Sequence, residues 1–173
     1  MEKKSRTNEE IHRQNLLSIE DSAIALLLET GDIAAITVSE LCRRAGVSRQ
    51  TFYKNYAGVE DAVRLYIRKD FEDIFRSFSH WFSDGRTRDA LTELLQAFYE
   101  RRDLYQILYL HNDSLILHQF ESFIDENNLS HFRLDDLEKD YFTGAFFEVI
   151  KQWILRDCKE TVEEIAVFLE KKL

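Results

Sequence analysis

Arg49, Gln50, Thr51 and Lys54 are the residues of this chain whose types and spacing read most directly as chemistry. A guanidinium can pair bidentately with guanine and a carboxamide with adenine, each pairing worth about 1–3 kcal/mol of discrimination between bases. Taken alone, the four are an ordinary solvated helix face. What precedes them changes the reading. Thr37 can cap a helix and Glu40 sits three residues later, so T-V-S-E is a capping box. Val38, Leu41 and Ala45 give that helix apolar positions, and Gly46 supplies a tight turn at no steric cost. Val47 turns back into the angle, and Ser48 caps a second helix through Arg49, Gln50, Thr51, Phe52 and Tyr53. Two short helices joined through such a turn form the unit that lays its second helix in the major groove of DNA. Around it, Thr37, Arg44, Ser48, Tyr53 and Asn55 are expected to hold the phosphate backbone, as hydroxyls, amides, guanidinium groups and helix N-termini do. Phe52 and the small Cys42 are assigned to packing.

A net charge of −9 looks wrong for a DNA binder until it is divided. Residues 1–60 hold eight Lys/Arg against nine Asp/Glu, whereas residues 61–173 hold fifteen against twenty-three. Between 39 and 56, Arg43, Arg44, Arg49 and Lys54 face Glu40 alone. Lys3, Lys4 and Arg6 are expected to add a basic, unstructured arm. The cationic footprint is therefore confined to the face expected to meet DNA, with the acidic remainder repelled from phosphate.

The elements that must position this face are helices. The chain has no proline, five glycines and 45% hydrophobic residues. Thr7 with Glu10 reads as a second capping box, opening a helix with Ile11, Leu16, Ile19, Ala23, Ile24, Leu27 and Leu28 at helical spacing and Gly31 at its end. From Val59 to Ser83 a long helix carries Ala62, Val63, Ile67, Phe71, Ile74, Phe75, Phe78 and Trp81. Further helices are expected from Thr87, over Arg101 to Tyr109, over Ser114 to Asp125, and over Leu134 to Asp157. The last opens at a third capping box, Thr161 with Glu164. The expectation is an all-α chain of about nine helices. Its last two carry more apolar surface than one seam needs, so Tyr141, Ala145, Val149, Trp153, Ile165, Phe168 and Leu169 face either the chain's own core or a second copy.

Residues 8–68 resemble the DNA-binding domain of the TetR family of bacterial transcriptional regulators. Thr37, Ala45, Gly46, Val47, Ser48, Tyr53 and Glu60 match its pattern directly, with motif boundaries at 37–56. Leu41, Cys42 and Tyr56 are conservative replacements, while Asn55 and Val59 stand where histidine and lysine are usual. The resemblance implies a three-helix DNA-binding domain over 8–68 and a helical regulatory and dimerisation domain over 69–173. It implies a homodimer on a palindromic operator, joined through two helices from each chain, and a phosphate contact from Tyr53. It also implies an effector cavity, for which Phe71, Phe75, Phe78, Trp81, Phe98, Tyr105, Tyr109 and Phe120 are the candidates, although an aromatic stripe at helical spacing equally fills a core. Release by a small molecule and repression are the family's habit. The alternative is a DNA-binding protein without such an effector, controlled by a protein partner or acting as an activator.

Other classes find little support. No Ser-His-Asp order, glycine-rich phosphate loop or Cys/His cluster is recognisable, so neither an enzyme nor a cofactor is expected. His111 and His118 lie seven apart, where metal ligands on a helix favour three or four. Cys42 and Cys158 match no metal or redox spacing. With no run of eighteen apolar residues and no apolar core in M-E-K-K-S-R-T-N-E-E, the expected location is the cytoplasm.

Overall fold

The computed structural model describes residues 2–83, 85–111, 116–118 and 136–172, with side chains described outside 2–6, 75, 77–83, 136, 138–140 and 142–143. Among these residues all regular structure is helical. The elements are α1 (Glu2–Thr30), a 3-10 turn (Ile33–Ala35), α2 (Val38–Ala45), α3 (Arg49–Asn55), α4 (Val59–Ser83), α5 (Thr87–Glu100), α6 (Arg102–His111), α7 (Asp136–Leu155) and α8 (Val162–Glu170). The chain divides into two compact units, Met1–Ile67 and Arg68–Leu173. None of the described helices is long and apolar enough to cross a membrane.

In the first unit, α1 departs from expectation at its start. Thr7 does not open it, because the helix already runs from Glu2. Glu, Lys and Arg are good helix formers, and no proline or glycine interrupts 2–30, so nothing halts the helix at the Thr7–Glu10 pair. Lys3, Lys4 and Arg6 accordingly lie within helix rather than on an unstructured arm. The buried stripe of α1 is Ile19, Ala23, Leu26 and Leu27, with Ile11 and Leu28 exposed. Gly31, at φ 73°, ends the helix and returns its N–H to Leu27 O at 2.8 Å. Leu41, Phe52, Ala62, Val63 and Ile67 complete the interior, and the Ser18 hydroxyl donates to Ala45 O at 2.9 Å, tying α1 to the end of α2.

In the second unit, α5 packs on α8 and α6 on α7. Its interior includes Phe71, Leu91, Leu95, Phe98, Tyr105, Leu108, Phe147, Ile150, Trp153 and Leu169. Helix α7 stops at Leu155, two residues short of expectation, since Asp157 and Cys158 adopt left-handed φ of 60° and 49°. Those two residues send their N–H groups back to Ile154 O and Trp153 O, at 3.0 and 2.9 Å. Trp153 Nε1 then donates to Glu160 O at 2.8 Å, which pins the connection to α8. There the reciprocal box is complete: Glu164 N–H reaches Thr161 Oγ1, and Thr161 N–H reaches the Glu164 carboxylate. Of the helix expected over Ser114 to Asp125, only 116–118 are described; these are helical, with Ile116 buried.

Candidate nucleic-acid interface

Local hydrogen bonds build the α2–turn–α3 unit. Thr37 is extended, and its hydroxyl accepts from Glu40 N–H at 3.2 Å, which starts α2. The Glu40 carboxylate lies 3.7 Å from Arg43, so the cap bond forms while the carboxylate turns to its own helix face. Gly46 takes φ 69°, a left-handed conformation that costs glycine nothing, and Val47 N–H closes the turn on Cys42 O at 3.0 Å. Ser48 Oγ accepts from Thr51 N–H at 3.0 Å and shares a 2.9 Å hydrogen bond with the Thr51 hydroxyl, starting α3.

Packing then sets which face of α3 looks outward. Phe52 is fully buried, stacked on Tyr56 with centroids 5.5 Å apart and edge-on to Tyr53 at 5.4 Å. Beyond the far end of α3, the Tyr56 hydroxyl donates to Glu20 Oε1 at 2.8 Å, and Glu20 is only 2% exposed. With Phe52 inward, Arg49, Gln50 and Lys54 are exposed, and Tyr53 is 57% exposed. Thr51 and Asn55 are half-buried; the Asn55 amide donates to Thr51 O at 2.7 Å, so both side chains brace α3 itself. Cys42 is buried, and burial pushes its thiol up against the opposing influence of Arg49.

Arg44 is engaged in a way that local patterning did not reveal. Its Nη1 donates to Glu29 Oε2 at 2.7 Å, and its Nη2 lies 2.7 Å from Glu29 Oε1, a two-pronged fork across α1 and α2. The hydrogen bond to Arg44 holds the Glu29 carboxyl below the usual carboxylate range, and the same bond raises Arg44. The two residues stand fifteen apart, outside any periodic signal.

The second unit gathers four of the expected cavity residues. Phe71, Phe98 and Tyr105 have ring centroids 5.0–6.1 Å apart, Tyr109 lies 6.3 Å from Tyr105, and Phe147 lies 5.7 Å from Tyr109. Beside these rings Asp70, 8% exposed, accepts from the Tyr105 hydroxyl at 2.8 Å and pairs with Arg101 Nε at 2.7 Å. Burial holds the Asp70 carboxyl above its ordinary range, although Tyr105 and Arg101 pull the other way. Burial, together with the Asp70 charge, pushes the Tyr105 phenol well above its usual value. Phe75, Phe78, Trp81 and Phe120 lie outside the described side chains.

The candidate dimer residues separate by exposure. Trp153, Ile165 and Leu169 are buried within their own unit, and Val149 is half-buried. Tyr141 is 79% exposed, Ala145 is exposed, and Phe168 is 47% exposed beneath the Lys172 ammonium. Leu137, one turn before Tyr141, is 80% exposed as well. His111 and His118 are both exposed, and among the described residues no group of three or more His, Cys, Asp or Glu is placed to hold a metal.

Comparison with known proteins bears on both halves. Residues 85–173 match a family described as a transcriptional regulator C-terminal region. The chain is 23% identical over 142 residues to the HTH-type dhaKLM operon transcriptional activator DhaS of Lactococcus lactis, covering 75% of this chain and 74% of DhaS. It is 29% identical over 85 residues to the HTH-type transcriptional regulator YxbF of Bacillus subtilis, covering 46% of this chain and 22% of that protein's length. The solved structure of DhaS superposes with a TM-score of 0.64 at 20% identity, covering 91% of this chain and 92% of DhaS. The fatty acid degradation regulator FadR from Bacillus halodurans superposes at 0.62 and 17% identity, covering 91% and 93%.

Proposed function

The chain belongs to the TetR family of transcriptional regulators, and we propose that it acts as a cytoplasmic homodimer that inserts α3 into successive major grooves of a palindromic operator. The observation that carries this reading is the outward face of α3, where Arg49, Gln50 and Lys54 are exposed on a helix held at both ends by the Ser48 cap and the Tyr56–Glu20 contact. Arg49 and Gln50 read base edges, while Tyr53, Lys54 and the α2 and α3 N-termini at Thr37 and Ser48 hold phosphates. Thr51 and Asn55 keep α3 in shape, and Arg44 joins the phosphate contacts.

One short helix–turn–helix offers little area, so paired half-sites supply the affinity. The exposed apolar positions Leu137, Tyr141, Ala145 and Phe168, on the last two helices, serve that pairing. In the second unit, the rings around Asp70, Tyr105 and Arg101 are the place for a small effector that combines an aromatic or apolar body with a polar group. Its binding lowers DNA affinity, which makes the protein a repressor. A second reading, activation without a small effector, is favoured by the name of DhaS, an activator, and by the close mutual packing of the described aromatic rings.

Selection from a pool of random duplexes at graded salt tests the proposal. The expected outcome is an inverted repeat with half-sites about one helical turn, or a multiple of it, apart and a steep salt slope. A folded protein that enriches no sequence would contradict it.

A further inference from the structure

Glu29 occupies a place that electrostatics disfavours twice. It is the penultimate residue of α1, where the helix dipole opposes an anion, and it adds negative charge to the unit that docks on phosphate. What offsets both is the fork with Arg44, whose two Nη atoms each lie 2.7 Å from a different Glu29 oxygen. A DNA phosphate presents the same pair of oxygens to a guanidinium. Both side chains are substantially exposed, 38% for Arg44 and 57% for Glu29, so the pair sits in water where such contacts are weak and exchange readily.

We propose that Glu29 is a tethered stand-in for a DNA phosphate: it holds the Arg44 fork in the unbound protein, and DNA must displace it to recruit Arg44. The proposal rests on the reading of α2 and α3 as the DNA-docking unit and assigns to that unit a built-in competitor. Glu29 thereby sets how much of the phosphate contact survives as net affinity. It restrains binding to sequences where the remaining contacts are too few to pull Arg44 away.

The test is a double-mutant cycle on the full chain, with Glu29→Gln, Arg44→Ala and the double variant. Each is titrated by fluorescence anisotropy against a labelled mixed-sequence duplex over a range of salt. Arg44→Ala is expected to weaken binding and flatten the salt slope by about 0.9, one phosphate contact. Glu29→Gln is expected to bind about two- to fivefold tighter than the parent, the size that releasing an exposed ion pair allows. In the Arg44→Ala background the Glu29 substitution should add nothing. Glu29→Asp, which keeps the charge on a shorter stem, should lie between the parent and Glu29→Gln, and thermal unfolding of each variant confirms the fold. An equal gain in both backgrounds would overturn the proposal, since it would report only a removed charge. Unchanged or weaker binding by Glu29→Gln would overturn it too, making Glu29 a strut. If Arg49→Ala and Lys54→Ala also leave duplex binding untouched, the DNA-docking reading falls with it; if they weaken binding, only the role of Glu29 falls.

Discussion

Each half of the chain buries a carboxylate and gives it a tyrosine hydroxyl at 2.8 Å, yet the two pairs are built differently. In the first unit Tyr56 reaches Glu20 and thereby ties the end of the α3 segment to α1. In the second, Tyr105 reaches Asp70 on α4, and Arg101 adds a full counter-charge from the α5–α6 corner at 2.7 Å. The first pair braces a unit that keeps Arg49, Gln50 and Lys54 exposed. The second lies inside, among tilted and edge-on aromatic rings. If the exposed face of α3 reads DNA as proposed, substitutions there should change recognition and leave folding intact, whereas polar substitutions in the second unit should alter stability and its pH dependence together.

The largest expected effect lies in the second unit. Trp153→Ala removes a fully buried indole and its hydrogen bond to Glu160 O, and should cost about 3–5 kcal/mol in urea unfolding. Arg49→Ala should leave the unfolding free energy within about 0.5 kcal/mol of the parent. Loss of stability in Arg49→Ala comparable to that in Trp153→Ala would abolish the separation between the units.

Next come the two tyrosines. Tyr56→Phe takes a donor from Glu20 in a site 2% exposed and should cost about 1–3 kcal/mol. Tyr105→Phe takes a donor from Asp70, which keeps Arg101 at 2.7 Å, and should cost about 0.5–1.5 kcal/mol. A Tyr105→Phe loss that grows further when Arg101 is also replaced by Ala would show the two partners acting on Asp70 together; no added loss in denaturant titrations would mean that Arg101 contributes nothing to the pair.

The pH dependence sharpens the same contrast. Asp70 has its folded carboxyl raised above the unfolded value, so the folded chain binds more protons there. Its contribution to stability is full below the ordinary carboxylate range and is lost as pH rises through the raised folded value. Thermal unfolding from acid towards neutral pH should show the parent losing stability relative to Asp70→Asn. A constant difference between the two proteins across that range would remove Asp70 as the source of that loss.

A modest effect is expected at the caps. Ser48→Ala and Thr161→Ala should each cost about 1 kcal/mol, one in each unit. Only Ser48→Ala should also weaken duplex binding, since only that cap orients the helix carrying Arg49.

Much of the first unit could be read from the chain because its signals are local. Thr37, Gly46 and Ser48 act within three to five residues of themselves, and the structure gives each the bond or conformation its type favours. Helix α1 runs past Thr7 to Glu2 because a capping pair marks a permissible helix start, not a required one, and the residues before it also favour helix. The ties that brace and modulate the units join residues distant in sequence, Glu29 to Arg44, Glu20 to Tyr56 and Asp70 to Tyr105, and periodicity carries no trace of such pairs. In α7 and α8 a broad apolar arc left core and surface unresolved. Folding put Trp153, Ile165 and Leu169 inside and kept Tyr141 and Phe168 at the surface, because a helix turned to bury one stripe must expose the next.

The most direct test of α3 as the reading helix is to repeat the duplex selection with Arg49→Ala. The parent should enrich an inverted repeat, and the variant should lose its base preference at one position in each half-site, related by the two-fold axis, with the rest of the repeat intact. The same preference at the same affinity would show that α3 does not read the operator.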